Sequence, residues 1–257
     1  MTRRTLLAST AAVLTLTALT GCATLGLEHP PTAAPALPTV ERTSARPTAP
    51  PASSALTDAQ AQAALITETD LGPPWTPTRG AATWRDGMLK ATTSTAECQK
   101  LLDDLYADEL LGGPARAVIA LDDPDTGAQL RYQLTGHRPA DVDRRLAWLK
   151  TMPQKCARFA AKATGDAVLD VQVSELPLPE VGDVRQGLRV TATIWAKAGG
   201  GDPTVLTLDV AAVRSGQDAF ALVDGGLDDA PNTATQAAVQ LGVRRLADVR
   251  KQPKAQV

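Results

Sequence analysis

Arg189-Val-Thr-Ala-Thr-Ile-Trp195 and Thr204-Val-Leu-Thr-Leu-Asp-Val-Ala-Ala-Val213 decide the fold. Each alternates polar and apolar side chains, the two-residue period of a strand with one face buried. They belong to four strand-like runs, at 167–176, 187–197, 203–214 and 217–224. Gly199-Gly-Gly-Asp202 and Ser215-Gly216 read as tight connections between neighbours, so the runs are expected to form an antiparallel meander. Alternation also assigns faces. Val190, Ala192 and Ile194 point one way, toward a core; Arg189, Thr191, Thr193 and Trp195 point the other. The next strand repeats this, with Leu206, Leu208 and Val210 opposed to Thr207 and Asp209.

Working outward, 115–121 and 128–134 alternate on either side of Asp122-Asp-Pro-Asp-Thr-Gly127, a hairpin signal because Asp and Gly tolerate turn geometry. Residues 81–92 read as a strand interrupted near Asp86-Gly87. Helical periods separate these runs. Thr57-Asp58 caps a short helix that ends before Gly72-Pro73-Pro74. A second helix starts at Ser94 or Thr95, with Glu97 at a capping-box position and Cys98, Leu101, Leu102 and Leu105 inside it. Pro139 opens the clearest helix, where Val142, Leu146 and Leu149 share a face and Cys156 follows on the same side. Pro153 is expected to kink or restart that helix, because it lacks an amide proton. A last helix runs from Pro231 or Asn232 to Val249 and buries Ala234, Ala238, Leu241 and Leu246. The fold class is therefore α+β: an antiparallel β-sheet with helices packed around it, in a single domain.

The 257-residue chain begins with Arg3-Arg4, an apolar run to Leu19, and Thr20-Gly21-Cys22. A positive start, an apolar stretch and a small-residue cleavage site make a secretory signal. Leu19-Thr-Gly-Cys22 resembles the lipobox of bacterial lipoproteins, which implies cleavage before Cys22 and a diacylglycerol on its sulfur. Arg3-Arg4 fits both twin-arginine and general export. The organisation expected is a signal peptide at 1–21, a lipidated Cys22 with a Pro-, Ala- and Thr-rich tether over 22–55, a folded domain over 56–251 and a tail over 252–257. The tether composition cannot bury enough apolar area to order itself. At about 3.1 Å per residue it would hold the domain up to ~100 Å from the outer face of the cytoplasmic membrane.

The formal charge of −2 becomes −4 once Arg3 and Arg4 leave with the signal. No basic stripe exists, and the chain holds only two Tyr and two Phe, which argues against nucleic-acid binding. With Cys22 lipidated, Cys98 and Cys156 remain, and in an oxidising compartment a pair reads as a disulfide. A metal pair or a catalytic thiol are the alternatives. His137 is the only histidine past the tether, so zinc would need carboxylates.

No motif names a reaction. Asp122-Asp123-Pro-Asp125 lacks EF-hand spacing and reads as a solvated turn rather than a calcium loop. There is no G-x-S-x-G elbow, Ser215 sits in a turn, and His137 precedes a helix in a loop. Gly199-Gly-Gly201 lacks the lysine and helix of a phosphate loop. No cofactor, no metal site and no catalytic residue is expected.

Residues 63–75, Ala-Ala-Leu-Ile-Thr-Glu-Thr-Asp-Leu-Gly-Pro-Pro-Trp, together with Ala96-Glu-Cys98, a hairpin, and a helix carrying Trp148 and Cys156, resemble the PknH-like extracellular sensor domain of actinobacteria. The likeness spans about residues 57–250 in short motifs. It implies a central sheet flanked by helices and a cleft for an unidentified ligand, with a disulfide at the helical cysteine. The family's second disulfide has no cysteines here, and there is no catalytic residue to carry over.

The function expected is a non-enzymatic, lipid-anchored, extracytoplasmic binding or sensing protein. Its partners would be the membrane and a small ligand or an envelope protein. The alternatives are an envelope enzyme with a carboxylate-based site and a scaffolding lipoprotein. The binding surface is expected on the sheet face bearing Thr191, Thr193 and Trp195, since a half-polar face ending in a large aromatic suits an amphipathic ligand.

Overall fold

In the computed structural model, residues 55–80, 82–165, 167–195, 202–228 and 232–252 are described. The expected signal peptide, Cys22, the expected tether as far as residue 54, Gly199-Gly-Gly201 and the tail from residue 253 lie outside them. The chain divides into Met1–Ala49 and Pro50–Val257, and every described residue belongs to the second unit.

The elements in chain order are α1 (Asp58–Ala63), α2 (Glu68–Leu71), β1 (Thr76–Pro77), a π-helical turn (Arg85–Leu89), α3 (Ala96–Ala107), β2 (Ala117–Asp122), β3 (Gln129–Thr135), α4 (Pro139–Lys155), β4 (Arg158–Lys162), β5 (Val168–Glu175), β6 (Val184–Ile194), β7 (Thr204–Ser215), β8 (Asp218–Leu227) and α5 (Ala234–Lys251). The strands form one eight-stranded antiparallel sheet in the order β1-β2-β3-β8-β7-β6-β5-β4. After β3, α4 carries the chain to the far edge, and β4 to β8 return strand by strand until β8 pairs with β3. The α+β reading, helices on an antiparallel sheet, is what the structure has.

Each strand sends alternate side chains to opposite faces, and this splits the core in two. On one face Leu169, Val171, Val190, Ala192, Leu208, Val210 and Val223 pack beneath α3 and α4. On the other, Tyr132, Leu134, Ala211, Val213, Phe220 and Leu222 pack beneath α1 and α5. β7 and β8 are buried on both faces, hence the near-continuous apolar runs Val210-Ala-Ala-Val213 and Ala219-Phe-Ala-Leu-Val223. The apolar stripe of α4 behaves as its spacing predicts: Val142, Leu146, Leu149 and Met152 are all buried. Truncating one such leucine to Ala should cost about 2–5 kcal/mol.

Cys98 of α3 and Cys156, which caps α4, form a disulfide with a Cα–Cα distance of 5.6 Å. Beside it Trp148 donates to Glu97 at 2.7 Å, Lys155 donates to Glu97 at 2.8 Å, and the Arg145 guanidinium lies 4.4 Å from the Trp148 ring centre. Trp148 therefore clamps α3 to α4.

Three local expectations are corrected. Residue 81 of the expected run lies outside the described residues, and residues 82–92 hold no strand interrupted at Asp86-Gly87. They hold the turn Arg85–Leu89, because Trp84, Met88 and Leu89 all reach the core from a helical path. Pro153 neither restarts nor ends α4, which continues to Lys155. It sits in the last turn, so it costs α4 one hydrogen bond, the one to the Leu149 carbonyl, with only Gln154 and Lys155 left to follow. Glu97 makes no capping box, since its carboxylate serves Trp148 and Lys155.

Candidate functional site

The helices do not cover the whole sheet. Past β7, the face that α1 and α5 pack against is covered only at the start of β6, where Leu178 lies over Gly187; from Arg189 onward no described residue covers it. Along β4, β5 and β6 the buried residues alternate with Arg158, Ala160, Lys162, then Val168, Gln172, Ser174, then Arg189, which are all exposed. Thr191 and Thr193 lie on this same outward face, half-buried. Trp195 ends the series at 65% exposure, and Val168 beside it is 62% exposed. These are unusual values for large apolar side chains in one place. Leu169 pairs with Ile194, so Val168 and Trp195 fall at the same end of neighbouring strands.

A shallow groove of about 530 Å³ runs across this corner, lined by Arg158, Ala160, Ala167, Val168, Asp170 and Trp195. Its floor is low because Ala160 presents only a methyl group between Arg158 and Lys162. Its polar border is one ion pair: Arg158 Nε donates to Asp170 Oδ1 at 2.9 Å in a two-pronged contact. That hydrogen bonding holds the Arg158 guanidinium above its usual pKa. Thr191 and Thr193 are outside the groove's lining, so the structure brings Trp195 together with β4 and β5 residues rather than with the two threonines. Sequence alternation put Trp195 on the outward face but could not supply Arg158, Ala160 or Val168. The signal for them was Arg158-Phe-Ala-Ala-Lys162, which alternates once it is read as a strand.

A second polar cluster lies where the bare and covered halves of this face meet. Arg189, Asp209 and Asp224 are register partners across β6, β7 and β8. Arg189 donates twice to Asp209, at 2.7 and 3.0 Å, and this raises the Arg189 pKa. Asp224 has no solvent exposure, and its Oδ2 accepts from Thr235 Oγ at 3.0 Å. The carboxylate lies beside the Ala234 and Thr235 amides at the start of α5, while its Oδ1 has no hydrogen-bond partner among the described residues. Burial pushes the Asp224 pKa from 3.8 up to about 7 against these contacts, and the Asp209 charge adds to the rise.

The remaining candidates hold structure together. Asp123 spends its carboxylate on the Asp125 and Thr126 amides and the Thr126 hydroxyl, closing the β2–β3 turn. A cavity of about 890 Å³ beside that turn is bordered by Arg79, Asp122 and Gln129, and another of about 560 Å³ lies between α4 and the start of β6. Neither holds a histidine, serine or cysteine nucleophile with a base. His137 stands in the loop before α4, as its sequence position predicts. Among the described residues no group of three or more His, Cys, Asp or Glu side chains is placed to hold a metal, and no helix is long and apolar enough to cross a membrane.

Fold and site together define an α+β domain with an eight-stranded antiparallel sheet, covered on one face and half-covered on the other. No family model and no curated protein sequence matches the chain. Among solved structures, the extracellular domain of PknH from Mycobacterium tuberculosis is similar at 15% sequence identity and a TM-score of 0.45, over 77% of this chain and 98% of that one.

Proposed function

We propose that this protein is an exported lipoprotein, anchored through Cys22, whose domain binds an amphipathic ligand or an envelope partner on the bare half of its sheet without catalysing a reaction. The observation that carries the reading is Trp195, two-thirds exposed beside an exposed Val168 and next to the Arg158–Asp170 pair. Leaving such a patch in water forfeits burial worth about 25 cal/mol per Å² of apolar surface, a loss that an occupant would recover. Export and anchoring rest on the N-terminal signal and Leu19-Thr-Gly-Cys22. The carboxylate-enzyme reading has one observation in its favour, the raised pKa of Asp224. Asp224 is sealed from solvent and lines none of the cavities described, so a substrate has no route to it.

The test is photo-crosslinking in the host. A benzoylphenylalanine at Val168 should give a covalent adduct, and one at the exposed Asp248 on α5 should give none. Equal adducts at both positions, or none at 168, overturn the reading.

A further inference from the structure

We propose that β4 is an open docking edge for an extended segment of a partner polypeptide. The segment would add as a ninth strand and place one large apolar side chain in the groove between Ala160 and Trp195. This rests on the reading of the Trp195 face as the binding face, and it names the class of occupant.

The first observation is the unspent backbone of β4. In an antiparallel strand, alternate residues direct both N–H and C=O to the same side. Ala157 accepts from Val173 of β5 at 3.2 Å, so odd-numbered residues face inward. Lys162 faces outward and exchanges both hydrogen bonds with Thr92, at 2.8 and 2.7 Å. Arg158 and Ala160 share its parity, and among the described residues no backbone group meets them on that side. Thr92 starts a ladder that stops after one rung. The Thr93 amide turns away to Gln99 Oε1 at 2.7 Å, and α3 begins at Ala96. Two donors and two acceptors are left in a row.

The second observation is that this edge is unguarded. Natural sheets protect edges with Pro, with very short strands or with charges held over the edge. The opposite edge follows that rule, since β1 is the two residues Thr76–Pro77. On β4 the Arg158 side chain is drawn inward onto Asp170 of β5, and the exposed Lys162 stands at the rung already paired with Thr92, so neither charge stands over the Ala160 stretch.

Edge and groove share Arg158 and Ala160, and that coincidence selects a strand over a free small molecule. Main-chain pairing supplies affinity and alternate side chains supply specificity in this mode of recognition. A residue opposite Ala160 meets only a methyl group. Val168 lies about 10 Å from the added backbone at ~4.8 Å per strand, within the joint reach of two large side chains. The preferred residue there is therefore Phe, Trp, Leu or Met.

The test uses the full-length protein in detergent, with a random linear hexapeptide phage library as the probe and the enriched peptide then synthesised. Proline is tolerated where a strand's N–H faces away from the sheet, so Ala160→Pro should leave the fold intact while removing the donor and blocking the edge. The expected results are an enriched motif with a large apolar residue, at least about tenfold weaker binding to Ala160→Pro, and slowed hydrogen exchange at the Arg158 and Ala160 amides. If Ala160→Pro misfolds, amide protection in the unsubstituted protein decides alone. No enrichment, or a peptide that leaves both amides unprotected, overturns the strand-addition proposal. An unprotecting peptide that still loses affinity with Trp195→Ala would leave the binding-face reading standing.

Discussion

Asp224→Asn removes a buried carboxyl that the fold leaves to titrate near neutrality. Asp224 is fully buried, faces Asp209 across the β7–β8 register, accepts from the Thr235 hydroxyl and lies beside the first amides of α5. Its pKa rises from 3.8 to about 7 on folding, mainly by burial. The folded state thus holds a proton that the unfolded chain has released between about pH 4 and pH 7. Stability from this group is therefore fully present at the acid end of that window, falls as pH rises through it, and levels off above. A shift of about three units sets an upper bound of about 4 kcal/mol. Glu97, held low by hydrogen bonds from Lys155 and Trp148, and Asp141, held low by Arg138, act in the opposite sense, losing stabilisation as pH falls toward and below 4. Comparing wild type and variant at equal pH cancels them. Asn keeps the shape and the oxygen that accepts from Thr235 but cannot ionise. Urea unfolding at pH 4.5 and pH 8 should show wild type losing a few kcal/mol across that interval that the variant keeps. Parallel pH profiles for the two proteins would refute the reasoning.

Replacing Cys98 and Cys156 by Ala opens a loop whose ends are 58 residues apart, worth about 4 kcal/mol in the chain-entropy model and ~10 °C in melting temperature; a calorimetric melt that moves by a degree or two contradicts this. Gly225→Ala should cost more than about 3 kcal/mol, since φ is +149° and an added Cβ would sit 2.0 Å from the Thr207 carbonyl oxygen; a thermal melt close to wild type would show that the two strands separate easily there. Cys22→Ala should shift the protein from the membrane fraction to the medium or leave it unprocessed; a processed N-terminus with unchanged membrane attachment would exclude lipidation at that residue.

Much of the sheet was legible because β6 alternates over Leu188–Ile194 and β7 over its first half, and the turns on either side of β7 carry Gly. The same regularity placed Trp195 opposite Val190. β4 was not legible: Arg158-Phe-Ala-Ala-Lys162 is short and rich in good helix formers, and only pairing with β5 makes it a strand. Its position at the sheet edge, reached by α4 crossing from β3, is a tertiary fact that no local pattern encodes. The groove was therefore only half readable, with Trp195 visible and its neighbours Val168 and Arg158 hidden in the register. The turn at Arg85–Leu89 was misread as strand because Asp86-Gly87 looks like a break, while the spacing of Trp84 and Met88 by four went unweighed. Asp224 gave no sign of its role, since its hydrogen bond from Thr235 joins β8 to α5 across eleven residues of chain and depends on the fold being complete.

Native mass spectrometry of the protein purified from its own host, as wild type and as Trp195→Ala, tests the binding-face claim most directly. Trp195 is 65% exposed, so its truncation should leave the melting temperature within a few degrees of wild type. The account predicts a retained ligand or partner on the wild type that is lost from the variant. A bare wild-type mass, or the same retained mass on both proteins, would contradict it.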